Sequence, residues 1–118
     1  MNDTSDYWQT LGQLIRQNGV IIDRPKGSAH PRFPDRIYPI NYGYIPGTSS
    51  ADGEGIDVFM GTKSEESIQG IICTFDDMKR DAEIKVLYRC TEAEIQTASR
   101  LLSYPPMHSL LILRDRTS

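Results

Sequence analysis

The sequence predicts a mainly β protein with flanking helices, arranged as one domain over residues 1–118 and as a small closed barrel. Two observations favour this fold class. Several short runs rich in β-branched residues lie between residues 20 and 88, and a helical pattern stands on each side of them. A chain of 118 residues suits one domain and leaves little room for a second.

The first element is an amphipathic helix over residues 5–18. Trp8, Leu11, Leu14 and Ile15 recur at helical spacing, and Gly19 is a stop signal. This apolar stripe could pack on the body of the domain or face a partner chain, so a homo-oligomer is possible.

The strands and the second helix follow in order. Strands are predicted at residues 20–22, 58–61, 68–75, 81–86 and 110–113, and the proline-rich residues 26–36 predict an extended loop. Thr91 and Glu94 form a capping box that starts a helix, and Pro105 and Pro106 bar its continuation beyond about residue 103.

Charge and composition exclude some classes of function. The net charge is −3 and the isoelectric point is near 5.3, which argues against a nucleic-acid partner. A phosphate substrate is not excluded, because bound divalent cations would invert the local charge. The sequence shows neither a signal pattern nor an apolar run long enough for a membrane. We therefore expect a cytoplasmic protein with no membrane contact, in which Cys73 and Cys90 are reduced.

Acidic side chains crowd a tyrosine-rich stretch at residues 38–57, which reads YPINYGYIPGTSSADGEGID. Asp52, Glu54 and Asp57 stand within six residues of one another, and crowded carboxylates usually have a cation between them. Either a solvated acidic turn or a metal site accounts for this pattern, and the spacing alone favours the turn.

A second acidic cluster and a basic loop lie elsewhere in the chain. On the strand that begins near residue 81, Asp81, Glu83 and Lys85 share one face, which by itself indicates charge turned outward. Arg32 and Arg36 in the proline-rich loop are either exposed charges or a site that binds a phosphate.

Together, YPINYGYIP and DGEGIDV resemble the core of the soluble inorganic pyrophosphatases, and the resemblance covers about residues 20–88. It implies a five-stranded barrel similar to the OB fold. It also implies hydrolysis of inorganic pyrophosphate to two phosphates by a metal-activated water, with Mg²⁺ as the cofactor and Mn²⁺ as a possible substitute.

The same resemblance implies roles for particular side chains. Asp52, Asp57 and Asp81 correspond to ligands of a first metal ion, and Asp57 also bridges to a second. Asp76 and Asp23 correspond to ligands of a further ion, and Glu54 to the group that holds or deprotonates the attacking water. The residues implied to bind phosphate are Arg32, Arg36, Tyr42 and Lys85, and Tyr42 is also counted with Glu54 and Asp57 as a catalytic residue.

The sequence departs from the family at several of these positions. Glu54 replaces an aspartate, Pro34 replaces a glutamate, Glu83 replaces a lysine, and Tyr104 has no lysine after it. Reduced activity is therefore expected. The alternative is a non-catalytic or altered-specificity module that binds phosphate or a nucleotide on the same fold.

Overall fold

A computed structural model of the chain describes residues 5–50 and 53–114. These residues form two helices and six strands, whose bounds are as follows: α1 Ser5–Asn18, β1 Ile21–Arg24, β2 Asn41–Ile45, β3 Ile56–Met60, β4 Ile68–Asp76, β5 Asp81–Tyr88, α2 Glu92–Leu101 and β6 Met107–Leu113. Within this part of the chain, no helix is long and apolar enough to cross a membrane.

The six strands form one mixed sheet in the order β1-β2-β3-β5-β4-β6. Neighbouring strands are antiparallel except β3 and β5, which are parallel. Within the described ranges the edge strands β1 and β6 do not pair with each other, so the sheet is open. The mainly β fold with flanking helices is confirmed, whereas the predicted closed, five-stranded barrel is wrong.

The reason for the open sheet lies in its central strands, which are buried on both faces. Consecutive residues are buried in β3, at Val58 and Phe59, and in β5, at Val86 and Leu87. A small barrel buries one face of each strand inside, whereas a sheet between two layers of helix buries both.

One face of the sheet is covered by α1. Trp8 and Ile15 are buried there with Ile45, Val58 and Val86. The predicted helix over residues 5–18 is thus confirmed, and the most buried members of its apolar stripe pack on the body of the domain.

The other face is covered by α2. Ile95 and Ala98 pack with Phe59, Ile72 and Leu87. The capping box is confirmed: the Glu94 amide donates to Thr91 Oγ1 at 3.2 Å, and the Thr91 amide donates to Glu94 Oε1 at 2.8 Å.

Strand β2 was not predicted from the sequence, because its tyrosines and glycine give no alternation of apolar and polar residues. Gly43 lies at the centre of β2 opposite Ile22, and a Cβ there would overlap the carbonyl oxygen of Ile21. Strand β1 therefore approaches β2 closely because residue 43 has no side chain.

Candidate active site

The candidate site occupies the α2 face of the sheet, where apolar side chains give way to polar ones. Phe59 of β3 is buried on this face, and Asp57 lies two residues before it. Asp57 is opposite Tyr44 of β2 on one side and opposite Lys85 of β5 on the other. Because side chains alternate along a strand, residues 81, 83 and 85 of β5 also turn towards this face.

Carboxylates from several segments meet in a cavity of about 790 Å³, which we call the acidic cavity. Its acidic lining comes from β1, from the segment before β3, and from β3, β4 and β5; the residues are Asp23, Glu54, Asp57, Asp76, Asp81 and Glu83. Basic side chains of Arg24, Arg32, Lys79 and Lys85 line the same cavity. This combination can bind cations and a phosphate anion next to each other.

The ammonium group of Lys85 lies at the centre of the polar contacts. Its Nζ is 2.6 Å from Asp57 Oδ2 and 3.4 Å from Glu83 Oε1, and it donates a hydrogen bond to the Tyr42 hydroxyl at 3.0 Å. Only 9% of the Lys85 side chain is exposed. A buried ammonium needs such partners because charge is costly to remove from water.

Burial and charge shift the acidity of these groups in definite directions. Burial raises the pKa of Tyr42 well above its usual value, against the opposing charge of Lys85. Burial alone would lower the pKa of Lys85, but Tyr42 and Asp57 beside Nζ raise it overall. At neutral pH Tyr42 is therefore a phenol and Lys85 is an ammonium ion.

A β-bulge places two consecutive residues of β1 at the cavity. The register between β1 and β2 shifts between Ile22 and Arg24, and both Asp23 and Arg24 line the acidic cavity. Arg24 donates a hydrogen bond to the Tyr38 hydroxyl at 2.6 Å, and Tyr38 stacks on Tyr42 with ring centroids 5.4 Å apart. Arg24 was not predicted, since strict alternation would turn only one of the two residues inward.

A second cavity, of about 410 Å³, adjoins the first and shares several lining residues with it. We call it the aromatic cavity, because the rings of Phe33, Tyr38 and Tyr104 line it. Arg36 lines this cavity, with its guanidinium 4.9 Å from the centroid of the Phe33 ring and 5.6 Å from that of Tyr104.

Near these rings, the imidazole of His30 is neutral. Its Nδ1 accepts a hydrogen bond from the Arg32 amide at 3.0 Å. Burial, and then the positive charges of Arg24, Arg36 and Arg32, lower the pKa of His30. His30 thus adds no positive charge to the basic side of the site.

The predicted site residues divide into three groups by position. Eight of them line the acidic cavity, namely Asp23, Arg32, Tyr42, Glu54, Asp57, Asp76, Asp81 and Lys85. Arg36 lines the aromatic cavity, and Asp52 lies outside the described residues. Lys79 and Glu83 line the acidic cavity without having been proposed as site residues; the alternation of β5 already pointed to Glu83.

The donor atoms of the acidic cavity suit a hard divalent cation. Carboxylate oxygens are the ligands that Mg²⁺ and Mn²⁺ prefer, and the cavity is rich in them. Among residues 5–50 and 53–114, however, no three acidic, histidine or cysteine side chains are assembled as ligands of one ion. The donor atoms therefore suit a divalent cation, but they are not arranged around one. Asp57 forms an ion pair with Lys85 instead.

A known protein family matches more than half of the chain. The family model described as inorganic pyrophosphatase matches residues 20–87. A search of the curated proteins found no significant match.

Solved structures share the fold. An inorganic pyrophosphatase from Neisseria gonorrhoeae is 22% identical, with a TM-score of 0.53 over 75% of this chain and 74% of that one. One from Helicobacter pylori is 14% identical, with a TM-score of 0.54 over 80% and 81% of the two chains. One from Thermus thermophilus is 19% identical, with a TM-score of 0.50 over 82% and 81%.

Proposed function

Since the chain belongs to the inorganic pyrophosphatase family, we propose that it hydrolyses inorganic pyrophosphate to two phosphates with the help of Mg²⁺ or Mn²⁺. The observation that carries the proposal is the acidic cavity, where carboxylates from five segments meet basic side chains. Pyrophosphate is a compact anion. Carboxylates would bind the cations that neutralise its charge, and basic side chains would bind its oxygens, so both kinds of group are needed side by side.

The carboxylates would hold the cations. We assign this role to Asp57 of β3, Asp81 of β5, Asp76 of β4 and Asp23 of β1, with Asp52 as a further ligand. The chemistry that divalent cations supply in such a site is charge neutralisation on phosphate oxygens and a lowered pKa of a water molecule.

The basic side chains would bind the substrate. Arg32 and Arg24 line the acidic cavity and can each hold phosphate oxygens through two hydrogen bonds. Tyr42, which remains a phenol, acts as a hydrogen-bond donor rather than as a base. Lys85 is engaged by Asp57, so its first role is to position that carboxylate.

Glu54 is proposed to accept the proton of the attacking water. It lies in the segment before β3, at the wall of the acidic cavity. The water oxygen forms a bond to one phosphorus, the bond from that phosphorus to the bridging oxygen breaks, and the bridging oxygen leaves with the second phosphate. The proton removed by Glu54 returns to solvent.

The direct test is phosphate release from pyrophosphate with Mg²⁺, in the wild type and in Asp57→Asn. We expect phosphate release by the variant to fall to the level of a blank that contains metal alone, because Asp57 is both a proposed metal ligand and the partner of Lys85. Asp6→Asn on the exposed side of α1 removes the same charge far from the site and serves as the control. Equal rates in Asp57→Asn and Asp6→Asn would contradict the proposal.

No specific observation favours the alternative of a non-catalytic module. A single domain over residues 1–118, a cytoplasmic location and a homo-oligomeric state stay predictions.

A further inference from the structure

The aromatic cavity has features that inorganic pyrophosphate does not use. Its walls include the apolar side chains of Ile37, Leu101, Leu102 and Pro105 together with the aromatic rings. Inorganic pyrophosphate consists only of phosphorus and oxygen, so it gains nothing from an apolar wall. The volume of about 410 Å³ falls within the range of roughly 300–1,000 Å³ that is usual for small-molecule sites.

Several large apolar side chains at this cavity are exposed. Phe33 is 50% exposed, Ile37 51% and Tyr104 58%. They come from two distant parts of the chain, the proline-rich loop and the segment after α2, yet they line one cavity. Clustered exposed apolar side chains around a concavity are typical of a binding site.

The rings are also held in place. The guanidinium of Arg36 lies over both Phe33 and Tyr104, so one cation links the two rings. Tyr38 is held by the hydrogen bond from Arg24 and by its stacking on Tyr42. Tyr38 stacks on His30 as well as on Tyr42, so a planar ligand ring would meet the exposed rings of Phe33 and Tyr104, whose orientation Arg36 already fixes.

The charged side chains that line the aromatic cavity indicate which chemical group a ligand with a planar ring must also have. Arg24, Arg32, Arg36, Lys79 and Lys85 line it, and Asp76 is the sole carboxylate among its described lining residues. All of these charged residues except Arg36 also line the acidic cavity. A ligand that reaches from one cavity to the other thus needs a diphosphate at one end and a planar ring at the other.

We propose that the aromatic cavity is a subsite for the base of a nucleoside diphosphate, whose diphosphate lies at the acidic cavity. This inference rests on the proposed function, because it uses the same phosphate-binding side chains. It extends the ligand class of the site from inorganic pyrophosphate to organic diphosphates that bear an aromatic ring.

Calorimetry with two non-hydrolysable ligands tests the subsite. Adenosine 5′-(α,β-methylene)diphosphate carries the ring, and methylenediphosphonate presents a similar diphosphate without it. With Mg²⁺ present, we expect the nucleoside ligand to bind the wild type about tenfold more tightly, which is the gain typical of stacking one base. Tyr104→Ala should remove most of that gain and leave the dissociation constant of methylenediphosphonate unchanged.

Two further variants make the result decisive. Phe33→Ala alters the other ring that Arg36 covers and should also reduce the preference for the nucleoside ligand; because Phe33 lines both cavities, the readout for this variant is the ratio of the two dissociation constants. Phe75→Ala removes an equally exposed ring on the α1 face and should change neither affinity. Equal binding of the two ligands by the wild type would overturn the subsite, as would a Tyr104→Ala variant that weakens both ligands by the same factor.

The outcome is separable from that of the proposed function. A protein that releases phosphate from pyrophosphate but shows no preference for the nucleoside ligand rejects the subsite alone. A protein that prefers the nucleoside ligand but releases no phosphate rejects the hydrolase alone.

Discussion

The acidic cavity and the aromatic cavity share a wall that includes Asp76, Lys79 and Lys85, but the rest of their lining differs. The first is lined by six carboxylates on the strands and on the segment before β3. The second is lined mainly by rings and aliphatic side chains on loops and at the end of α2. Strands position side chains by their register, whereas loops position them by local contacts such as the one between Arg36 and its two rings.

The difference agrees with the roles that we propose, namely reaction at the acidic cavity and recognition of the ligand's ring at the aromatic cavity. Most carboxylates of the acidic cavity stand on a sheet whose central strands are buried on both faces, which provides the rigid support that chemistry requires. The exposed rings of the aromatic cavity add little to the core, so they can vary without loss of the fold. Substitutions at the acidic cavity should therefore change stability or rate, and those at the aromatic cavity should change ligand preference.

The largest effect is expected for Lys85→Met at the shared wall. The variant leaves Asp57, whose side chain is only 17% exposed, without its cation, which should lower the free energy of unfolding by about 3 kcal/mol in metal-free buffer. Added Mn²⁺ should raise the melting temperature of this variant more than that of the wild type, because the carboxylates regain a counter-charge. Circular dichroism melts with and without Mn²⁺ provide the measurement.

Lys79→Met is the matched control for that experiment. Lys79 also lines both cavities, but its side chain is exposed and makes no ion pair within the described part of the chain. Its loss should cost well under 1 kcal/mol. If the two lysine variants melt at the same temperature, the buried contact with Asp57 has no special role.

A smaller but clear effect on rate is expected for Glu54→Gln. The amide cannot accept the proton of the attacking water, so kcat should fall by about 100-fold, while KM for pyrophosphate stays nearly the same. Steady-state phosphate release gives both constants. A rise in KM at unchanged kcat would instead assign Glu54 to substrate binding.

Thr91→Ala should lower the stability of the fold without changing the rate of pyrophosphate hydrolysis. Thr91 caps α2, whose last residues Leu101 and Leu102 reach the aromatic cavity. Loss of the cap should lower the free energy of unfolding by about 1 kcal/mol, measured in urea. Pyrophosphate hydrolysis should be unchanged, and a loss of rate comparable to that of Glu54→Gln would show that the two cavities are not independent.

The smallest effect concerns the pH dependence of the same cap. Burial opposes the ionisation of Glu94, but hydrogen bonds from Thr91 and Thr62 outweigh it and lower its pKa. A carboxylate with a lowered pKa stabilises the fold above its unfolded pKa, near 4.5, and this contribution is lost as the pH falls through the folded pKa.

Urea unfolding of wild type and Glu94→Gln at several pH values gives the measurement. Gln keeps the capping geometry, so the comparison isolates the charge. The wild type should be the more stable at pH 6, and the difference should close below pH 4.5. A difference that is constant between pH 6 and pH 3 would contradict the assigned role of the Glu94 charge.

The sequence predicted the elements whose periodicity is simple. Helix α1 and the capping box of α2 follow from spacing, and strands β3, β4 and β5 from runs of apolar and β-branched residues. Strand β2 was not predicted because Tyr42, Gly43 and Tyr44 give no alternation of apolar and polar residues. The closed barrel was wrong because β3 and β5 are buried on both faces, and their short apolar runs in the sequence did not distinguish this from burial on one face.

The sequence predicted those residues of the candidate site that lie in recognisable motifs. Asp57 and Asp81 were found from short acidic signatures, whereas the contact between Asp57 and Lys85 depends on the parallel register of β3 and β5. Arg24 depends on a bulge. The aromatic cavity joins Phe33 to Tyr104 across most of the chain, and no local pattern carries that information.

The central claim is tested most directly by the phosphate that wild-type protein releases from pyrophosphate as Mg²⁺ is raised from zero. The account predicts release that rises with Mg²⁺, saturates and disappears when a chelator is added. Release no greater than that of a protein-free blank at every Mg²⁺ concentration, from protein whose circular dichroism shows it to be folded, would contradict it.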